Sequence, residues 1–305
     1  MHPLVVVLGP TGSGKSALAL DVAEWFSGEI VNCDSVQLYR QLDIGSAKTP
    51  ADQRRGIPHH LVDVLNPEEH FTAGDYARKC REVVTDIKLR NRVPVVVGGT
   101  GFYLRAFLYG LPPVPSRDAT LRDRLLRRST ASLYRLLQRL DSSAATRIHP
   151  NDANKLIRAL EVCILTQKHG NPVFNPNPIQ ALEGFRVWKV GLDPDRDALA
   201  ARIADRCAQM FASGLVAEVR GILNAGHSPE SKALQSIGYR ECLQHILGSL
   251  SFNQALELTI IASRQYAKRQ RTWFRKEPDV FWIQDFGDTQ SSLTQTIHHL
   301  YSGIK

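Results

Sequence analysis

Leu4-Val5-Val6-Val7-Leu8-Gly9-Pro10-Thr11-Gly12-Ser13-Gly14-Lys15-Ser16 is the stretch on which the fold turns. It joins an apolar run, a glycine-rich turn of the form GxxxxGKS and, from residue 17 to 26, a good helix former. Strand, turn and helix follow in the order of a phosphate-binding unit. The glycines let backbone N–H groups face one concavity and the helix N-terminus adds partial positive charge. Lys15 supplies a full charge, and the Ser16 hydroxyl can ligate Mg²⁺. Gly9, Pro10, Thr11, Gly12, Ser13, Gly14, Lys15 and Ser16 therefore form a candidate site for a di- or triphosphate. The plainer reading, a tight glycine turn with a chance lysine, is outweighed by this context. The motif alone does not separate ATPases, GTPases, small-molecule kinases and a few transferases.

Outward from this unit, short β-branched runs at residues 4–8, 29–33, 61–65, 93–97, 186–191 and 280–283 alternate with longer amphipathic segments. That alternation predicts an α/β fold, a parallel sheet covered by helices in the manner of P-loop NTPases. The strand signal is missing from about residue 113 to 184, a segment that opens in Pro112-Pro113-Val114-Pro115 and closes in a run from Asn171-Pro172 to Pro178. We read residues 114–184 as an inserted helical domain and residues 1–113 and 185–305 as the core. Within the insertion Asn151 or Asp152 can cap a helix along which Leu156, Leu160 and Ile164 recur at helical spacing, ending at Lys168-His169-Gly170. Residues 194–276 read as helices broken at Gly226, Pro229 and Gly248.

Lys and Arg total 38 of the 305 residues against 30 Asp and Glu, a formal charge of +8, and 43% of the chain is hydrophobic. Such a chain has room for two substantial cores and does not have a disordered composition. The excess charge points to a polyanionic partner. The longest apolar runs, residues 4–8 and 93–97, fall far short of the ~20 residues needed to span a bilayer, so no membrane partner is expected. Met1-His2-Pro3 enters an apolar run without signal-peptide features, which makes the cytoplasm the expected compartment. Cys33, Cys80, Cys163, Cys207 and Cys242 form no CxxC pair and are read as reduced, buried small hydrophobes.

A P-loop kinase or NTPase is expected to carry an aspartate at the end of a long apolar strand. Here the matching run ends instead in Gly98-Gly99-Thr100-Gly101-Phe102-Tyr103. The carboxylate comes from Ile30-Val31-Asn32-Cys33-Asp34-Ser35, which puts Asp34 at a strand's C-terminal end, where doubly wound sheets hold their ligands. On local signals alone Asp34 is also a candidate helix N-cap, with Ser35, for Val36 onward. Far along the chain, residues 258–276 contain no Asp or Glu, and Arg264, Lys268, Arg271 and Arg275 recur along one helical face. Tyr266, Trp273 and Phe274 interleave with them, as stacking surfaces or as core. Solvated faces usually mix signs, so a one-sign stripe points to contact with a polyanion.

Gly9 to Ser16, Asp34-Ser35-Val36-Gln37-Leu38-Tyr39-Arg40, Asp43-Ile44-Gly45-Ser46-Ala47-Lys48, Pro58-His59-His60-Leu61 and Gly98-Gly99-Thr100-Gly101 are followed by three further motifs. These are Arg147-Ile148-His149-Pro150-Asn151-Asp152, Gly238-Tyr239-Arg240 and Lys268-Arg269-Gln270-Arg271-Thr272-Trp273-Phe274-Arg275. In their order and spacing, from about residue 4 to 283, the chain resembles the bacterial tRNA dimethylallyltransferases, or tRNA isopentenyltransferases. The resemblance implies Mg²⁺-dependent transfer of a dimethylallyl group from dimethylallyl diphosphate to the N6 amine of the adenine just 3′ of the anticodon, with release of diphosphate. It implies that Lys15, Thr11 and Mg²⁺ on Ser16 take up the charge growing on the diphosphate. Arg206, on a helix expected over residues 199–211, is implied as a further contact, although by itself it reads as an exposed helical arginine. Asp34 is implied as the acceptor of the amine's proton and Thr100 as a hydrogen-bonding group at the same centre, so the implied catalytic set is Asp34, Thr100, Lys15 and Arg206. A base in a stacked anticodon loop must flip out to reach such a centre.

The resemblance also implies tRNA contacts by Asp34, Ser35, Val36 and Gln37, by Asn154, Lys155, Leu156, Ile157 and Arg158, and by Gln235, Ser236, Ile237, Gly238, Tyr239 and Arg240. Lys268, Arg269, Gln270, Arg271, Thr272, Trp273, Phe274 and Arg275 are implied as a further group, with Thr100 and Arg122 as separate contacts. Arg122 stands in a mixed-charge helix start that reads equally as surface helix. The insertion is implied to clamp the anticodon stem and loop, and the working unit is expected to be a monomer. The proline-rich stretch Asn171 to Pro178 departs from relatives and predicts a stiffer exit from the insertion. No Cys/His extension of the eukaryotic kind follows, so Mg²⁺ is the one metal expected.

Three other functions compete. An adenine-nucleotide isopentenyltransferase would need neither the basic helix nor the insertion. A P-loop small-molecule kinase would carry an acidic strand end in place of Gly98 to Gly101. An RNA-binding ATPase-like module would have no use for Asp34 and Thr100 beside a diphosphate site.

Overall fold

Runs such as Val5-Val6-Val7 and Val95-Val96-Val97 lack polar alternation, so they are stable as strands only where both faces are covered. In the computed structural model, which describes residues 1–112, 114, 115, 117–168 and 180–304, they lie at the middle of one parallel sheet. Its strands are β1 (His2–Leu8), β2 (Gly28–Asn32), β3 (His59–His60), β4 (Val93–Gly98), β5 (Phe185–Leu192) and β6 (Val280–Ile283), in the order β3-β2-β4-β1-β5-β6. The fold is α/β with a P-loop-like core. Register pairs Leu8 with Gly98 and Asn32 with Val97, so the C-terminal ends of β1, β2 and β4 open on the same edge.

Helices α1 (Lys15–Trp25), α2 (Ala73–Leu89) and α3 (Gly101–Tyr109) belong to this unit. The start of α2 is fixed by a capping box in which Thr72 and Asp75 exchange side-chain and backbone hydrogen bonds at 3.1 and 2.9 Å. Val5, Val7, Leu18, Val22, Val95, Val190 and Ile283 are buried in one cluster. Each such side chain contributes roughly 1.5–3 kcal/mol on burial.

The strand expected at residues 61–65 does not form. Leu61 and Asp63 take φ values of 58° and 57°, which interrupt an extended run, and pairing is limited to β3 and a single bridge between Leu65 and Tyr39.

Two units divide the chain: Met1–Tyr109 with Ala181–Lys305, and Gly110–Gln180. The second is helical, with α4 (Ala119–Leu126), α5 (Thr130–Leu140), α6 (Ser142–Arg147) and α7 (Ala153–Lys168). Asp118, Ser129 and Asp141 cap the first three, and Asp152 Oδ1 accepts from the Lys155 N–H at 3.1 Å at the start of α7. Leu125, Leu133, Leu137, Leu156, Ile157 and Leu160 form its core. The side chain of Glu161 is fully buried there, held by Arg122 at 3.2 Å and Arg158 at 3.5 Å. Arg158 also donates to the Pro115 carbonyl at 2.7 Å. The helix end at His169-Gly170 and the stretch Asn171 to Pro178 lie outside the described residues.

The remainder of the first unit supplies α8 (Arg196–Ala212), α9 (Leu215–Asn224), α10 (Tyr239–Ile246), α11 (Phe252–Phe274) and α12 (Gln290–Ile304). Among the described residues no helix is long and apolar enough to cross a membrane. All five cysteines are free; four are buried as expected, while Cys163 is only partly so.

Candidate active site

The turn after β1 is built by glycines at positive φ, 80° at Gly12 and 86° at Gly14, and Gly14 leads directly into α1. No acidic residue stands in the first turn of α1 and no side chain caps it, so its positive end is open to an anion. Lys15 folds back over the turn and donates to the Pro10 carbonyl at 2.6 Å. Withdrawal from water and repulsion by Arg206, opposed by attraction to Asp34, pull the Lys15 pKa from 10.5 down to about 7. Burial also lowers Arg206, which nevertheless remains a cation. Arg206 is not the exposed arginine its helix suggested: it comes off α8 into the same cavity as Lys15.

That cavity, of about 620 Å³, lies at the C-terminal edge of the sheet. Thr11, Gly12, Gly14, Lys15 and Ser16 line one part of its wall. Asp34, Ser35, Val36 and Gln37 line another, and Gln235, Ser236, Ile237 and Gly238 a third. Ile203, Cys207 and Met210 add apolar surface beside Arg206.

Asp34 is fixed by its neighbours. Its N–H donates to Asn32 Oδ1 at 2.9 Å, and Asn32 Nδ2 donates to the carbonyls of Asp34 at 3.1 Å and Leu61 at 2.8 Å. Asp34 Oδ1 accepts from the N–H groups of Val36 at 2.8 Å and Gln37 at 3.4 Å. The N-cap reading is thus corrected: the carboxylate closes a turn and no helix begins there. Its other oxygen has no hydrogen-bond partner among the described residues and is available to a substrate.

Thr100 is not part of the cavity wall. Its hydroxyl oxygen accepts from the Ser35 N–H at 3.1 Å and its N–H donates to the Cys33 carbonyl at 3.2 Å, which stitches the turn after β4 to the Asp34 segment. A side chain at Gly98 would put its Cβ 2.1 Å from the Cys33 carbonyl oxygen, so glycine is required at this crossing.

The basic stripe on α11 is less free than its sequence suggests. Arg271 and Arg275 both pair with Asp193 at the end of β5, at 2.5 and 3.1 Å, and Arg264 donates to the Ala200 carbonyl at 3.1 Å. Lys268 is exposed and has no acidic partner among the described residues. Arg269 stands 5.8 Å over the Tyr266 ring, and both residues line the cavity. Trp273 is 40% exposed, with the Arg105 guanidinium 5.9 Å from its ring centre, and Thr272 is exposed. Phe274, Tyr239, Leu156 and Ile157 are buried, so these four side chains face packing rather than an RNA surface, whereas Gln270, also buried, borders the cavity. Arg240 pairs with Glu241, and Lys155 with Asp152 at 2.8 Å. Arg122 and Asn154 to Arg158 belong to the second unit, and Arg122 is an ion-paired residue there rather than a bare surface arginine.

Two positioning groups escaped the sequence reading. Asn32 was discernible as a polar side chain following the apolar pair Ile30-Val31, but its partners were not. Glu218 of α9 gave no local signal, yet its carboxylate accepts from the N–H groups of Asp43, Ile44 and Gly45 at 3.1, 2.8 and 3.4 Å and from the Tyr239 hydroxyl at 2.6 Å. It thereby holds the segment containing Gly45, Ser46 and Ala47 against the cavity.

Ser16 fits a divalent ion. It is an exposed residue of the cavity wall at the open end of α1, and its hydroxyl makes no hydrogen bond among the described residues. A hard cation that keeps several waters needs few protein ligands of this kind.

Comparison with known proteins places the chain among relatives of shared sequence and fold. The family model described as IPP transferase matches residues 37–277. A tRNA dimethylallyltransferase of Solibacter usitatus is 54% identical over 289 residues, 94% of each chain, and one of Koribacter versatilis is 50% identical over 93% of this chain and 94% of its own. Among solved structures, the full-length tRNA isopentenylpyrophosphate transferase of Bacillus halodurans is 33% identical with a TM-score of 0.73, covering 100% of this chain and 97% of that one. A eukaryotic dimethylallyltransferase acting on tRNA gives a TM-score of 0.78 at 27% identity, over 99% of this chain and 80% of that one. On a family match that runs through most of the chain and relatives at this level of identity, the chain belongs to the IPP transferase family.

Proposed function

We propose that this family member is a tRNA dimethylallyltransferase: it moves the dimethylallyl group of dimethylallyl diphosphate to the N6 amine of the adenine just 3′ of the anticodon and releases diphosphate. The observation that carries the reading is the joining, in one cavity, of a cationic phosphate cradle and a carboxylate with a free oxygen. The N–H groups of the turn other than those of Thr11 and Ser13, which are bonded to Gln270 and Pro10, would hold the diphosphate together with Lys15 and Arg206, where they oppose the negative charge that grows as the allylic carbon–oxygen bond breaks. Asp34 would accept the proton that the amine loses as nitrogen bonds to the allylic carbon, and Thr100 would fix the Ser35 segment on which Asp34 depends. Ser16 would hold Mg²⁺, which when bound supplies further positive charge to the diphosphate. The apolar wall of Ile203, Cys207 and Met210 suits a five-carbon chain.

The adenine reaches this centre flipped from its stack. Lys268 and Arg269, the exposed face of Trp273, and Gln235 to Gly238 would meet the RNA, as would Asn154 and Lys155 in the second unit. The same reading makes the chain a cytoplasmic enzyme that works as a monomer. Incubation of the protein with dimethylallyl diphosphate, Mg²⁺ and unmodified tRNA tests it. Nucleoside digestion should show a dimethylallyl mass increase on adenosine, and its absence would reject the reading.

A further inference from the structure

Gln270 stands in the middle of the basic segment of α11, between Arg269 and Arg271, yet it is only 4% exposed. Both ends of its amide are engaged with the catalytic edge of the sheet. Oε1 accepts from the Thr11 N–H at 2.8 Å, across 259 residues of chain, and Nε2 donates to the Gly99 carbonyl at 2.8 Å. The fit is close: a Cβ on Gly99 would lie 2.1 Å from Nε2, so the glycine just after β4 leaves room for this side chain. Similarly, a Cβ on Gly101 would lie 2.2 Å from the Trp273 ring, so α11 docks on the turn at two points one helical turn apart.

We infer that Gln270 is a positioning residue, one that ties the phosphate turn through Thr11 and the Asp34–Thr100 turn through Gly99 to the helix that faces RNA. The inference rests on the function proposed above. It replaces a surface contact with an internal one: the side chain expected to touch tRNA spaces the diphosphate cradle from the proton acceptor. The two hydrogen bonds divide the labour. Thr11 begins the turn that holds diphosphate, whereas Gly99 precedes Thr100, whose hydroxyl orients the segment carrying Asp34.

Two variants separate the bonds. Gln270→Glu keeps the shape and the acceptor for Thr11, loses the donor to Gly99 and sets a carboxylate beside the diphosphate cradle. Gln270→Met keeps the volume and loses both. Pyrophosphate with Mg²⁺ is the binding probe, and transfer to an anticodon stem-loop gives kcat. We expect Gln270→Glu to bind pyrophosphate at least about tenfold more weakly, because its negative charge opposes the anion beside Thr11, and kcat at saturating substrate to fall about tenfold or more. Gln270→Met should bind pyrophosphate about fivefold more weakly as well, the usual effect of one hydrogen bond. A purely structural role would instead lower both quantities together in both variants, in proportion to a lower melting temperature, and that pattern would overturn the inference, as would wild-type values throughout. If the unaltered chain transfers no prenyl group, the proposed function fails and the pyrophosphate measurement still decides: weaker binding by the Met variant at an unchanged melting temperature upholds the assignment, and binding equal to that of the unaltered chain overturns it.

Discussion

Asn32 and Asp34 hold each other by two hydrogen bonds, N–H of Asp34 to Oδ1 of Asn32 at 2.9 Å and Nδ2 of Asn32 to the Asp34 carbonyl at 3.1 Å. The pair closes the end of β2 and leaves the Asp34 carboxylate facing the cavity. Replacement Asn32→Leu keeps the volume but removes the clamp and leaves the Leu61 carbonyl without this donor. We expect it to lower kcat about 10–100-fold with tRNA affinity changed less than about threefold, because a misplaced proton acceptor acts on the transition state. Steady-state kinetics beside RNA binding checks this; a loss confined to RNA affinity would contradict it.

Asp34→Ala removes the acceptor itself. Turnover should fall to background while tRNA affinity stays within a few fold. A collapse of RNA binding, measured by filter retention or fluorescence anisotropy, would make Asp34 a recognition residue first.

Lys15 sets a pH dependence. With its pKa at about 7 in the free protein, the ammonium is half neutral near pH 7, and a bound diphosphate raises that pKa. Below pH 7 the group is already charged and adds no pH dependence. Above it, binding takes up a proton, and affinity falls by up to about tenfold per pH unit until the bound pKa is reached. Calorimetry at pH 8 in two buffers of different ionisation heat should detect the uptake, and Lys15→Arg should abolish it. For stability the sign runs the other way: a lowered folded pKa makes Lys15 destabilising below about pH 7, and this penalty fades as pH approaches 10.5. Lys15→Met should therefore raise the melting temperature by about 2 °C or more at pH 6 and less at pH 9.

Asp193 restrains part of the basic surface. Asp193→Asn releases Arg271 and Arg275 and should tighten RNA binding and steepen its salt dependence, whereas Lys268→Gln should flatten that dependence by about one unit of slope per lost phosphate contact. Unchanged slopes in both variants would return α11 to an ordinary solvated face.

The parts of the site that follow from local rules were legible in the sequence. GxxxxGKS after an apolar run pointed to the phosphate turn over a chance glycine turn, and continuous valine runs pointed to a doubly covered parallel sheet. What stayed hidden depends on distant pairings. Asp193 lies some eighty residues before the arginines it neutralises. Glu218 meets residues 43–45 across the fold, and Gln270 looks like one more polar position in a basic helix until Thr11 and Gly99 are seen to enclose it. The segment at residues 61–65 has the composition of a strand, but Leu61 and Asp63 are left-handed and the Leu61 carbonyl is taken by Asn32.

The most direct measurement is the stoichiometry of products. Purified protein with Mg²⁺, dimethylallyl diphosphate and an unmodified tRNA should release one diphosphate for each dimethylallyl group found on the adenosine 3′ of the anticodon, and ATP supplied alone should release no phosphate. Phosphate release from ATP with no prenylated adenosine would contradict the transferase assignment and return the P-loop to an NTPase or a kinase.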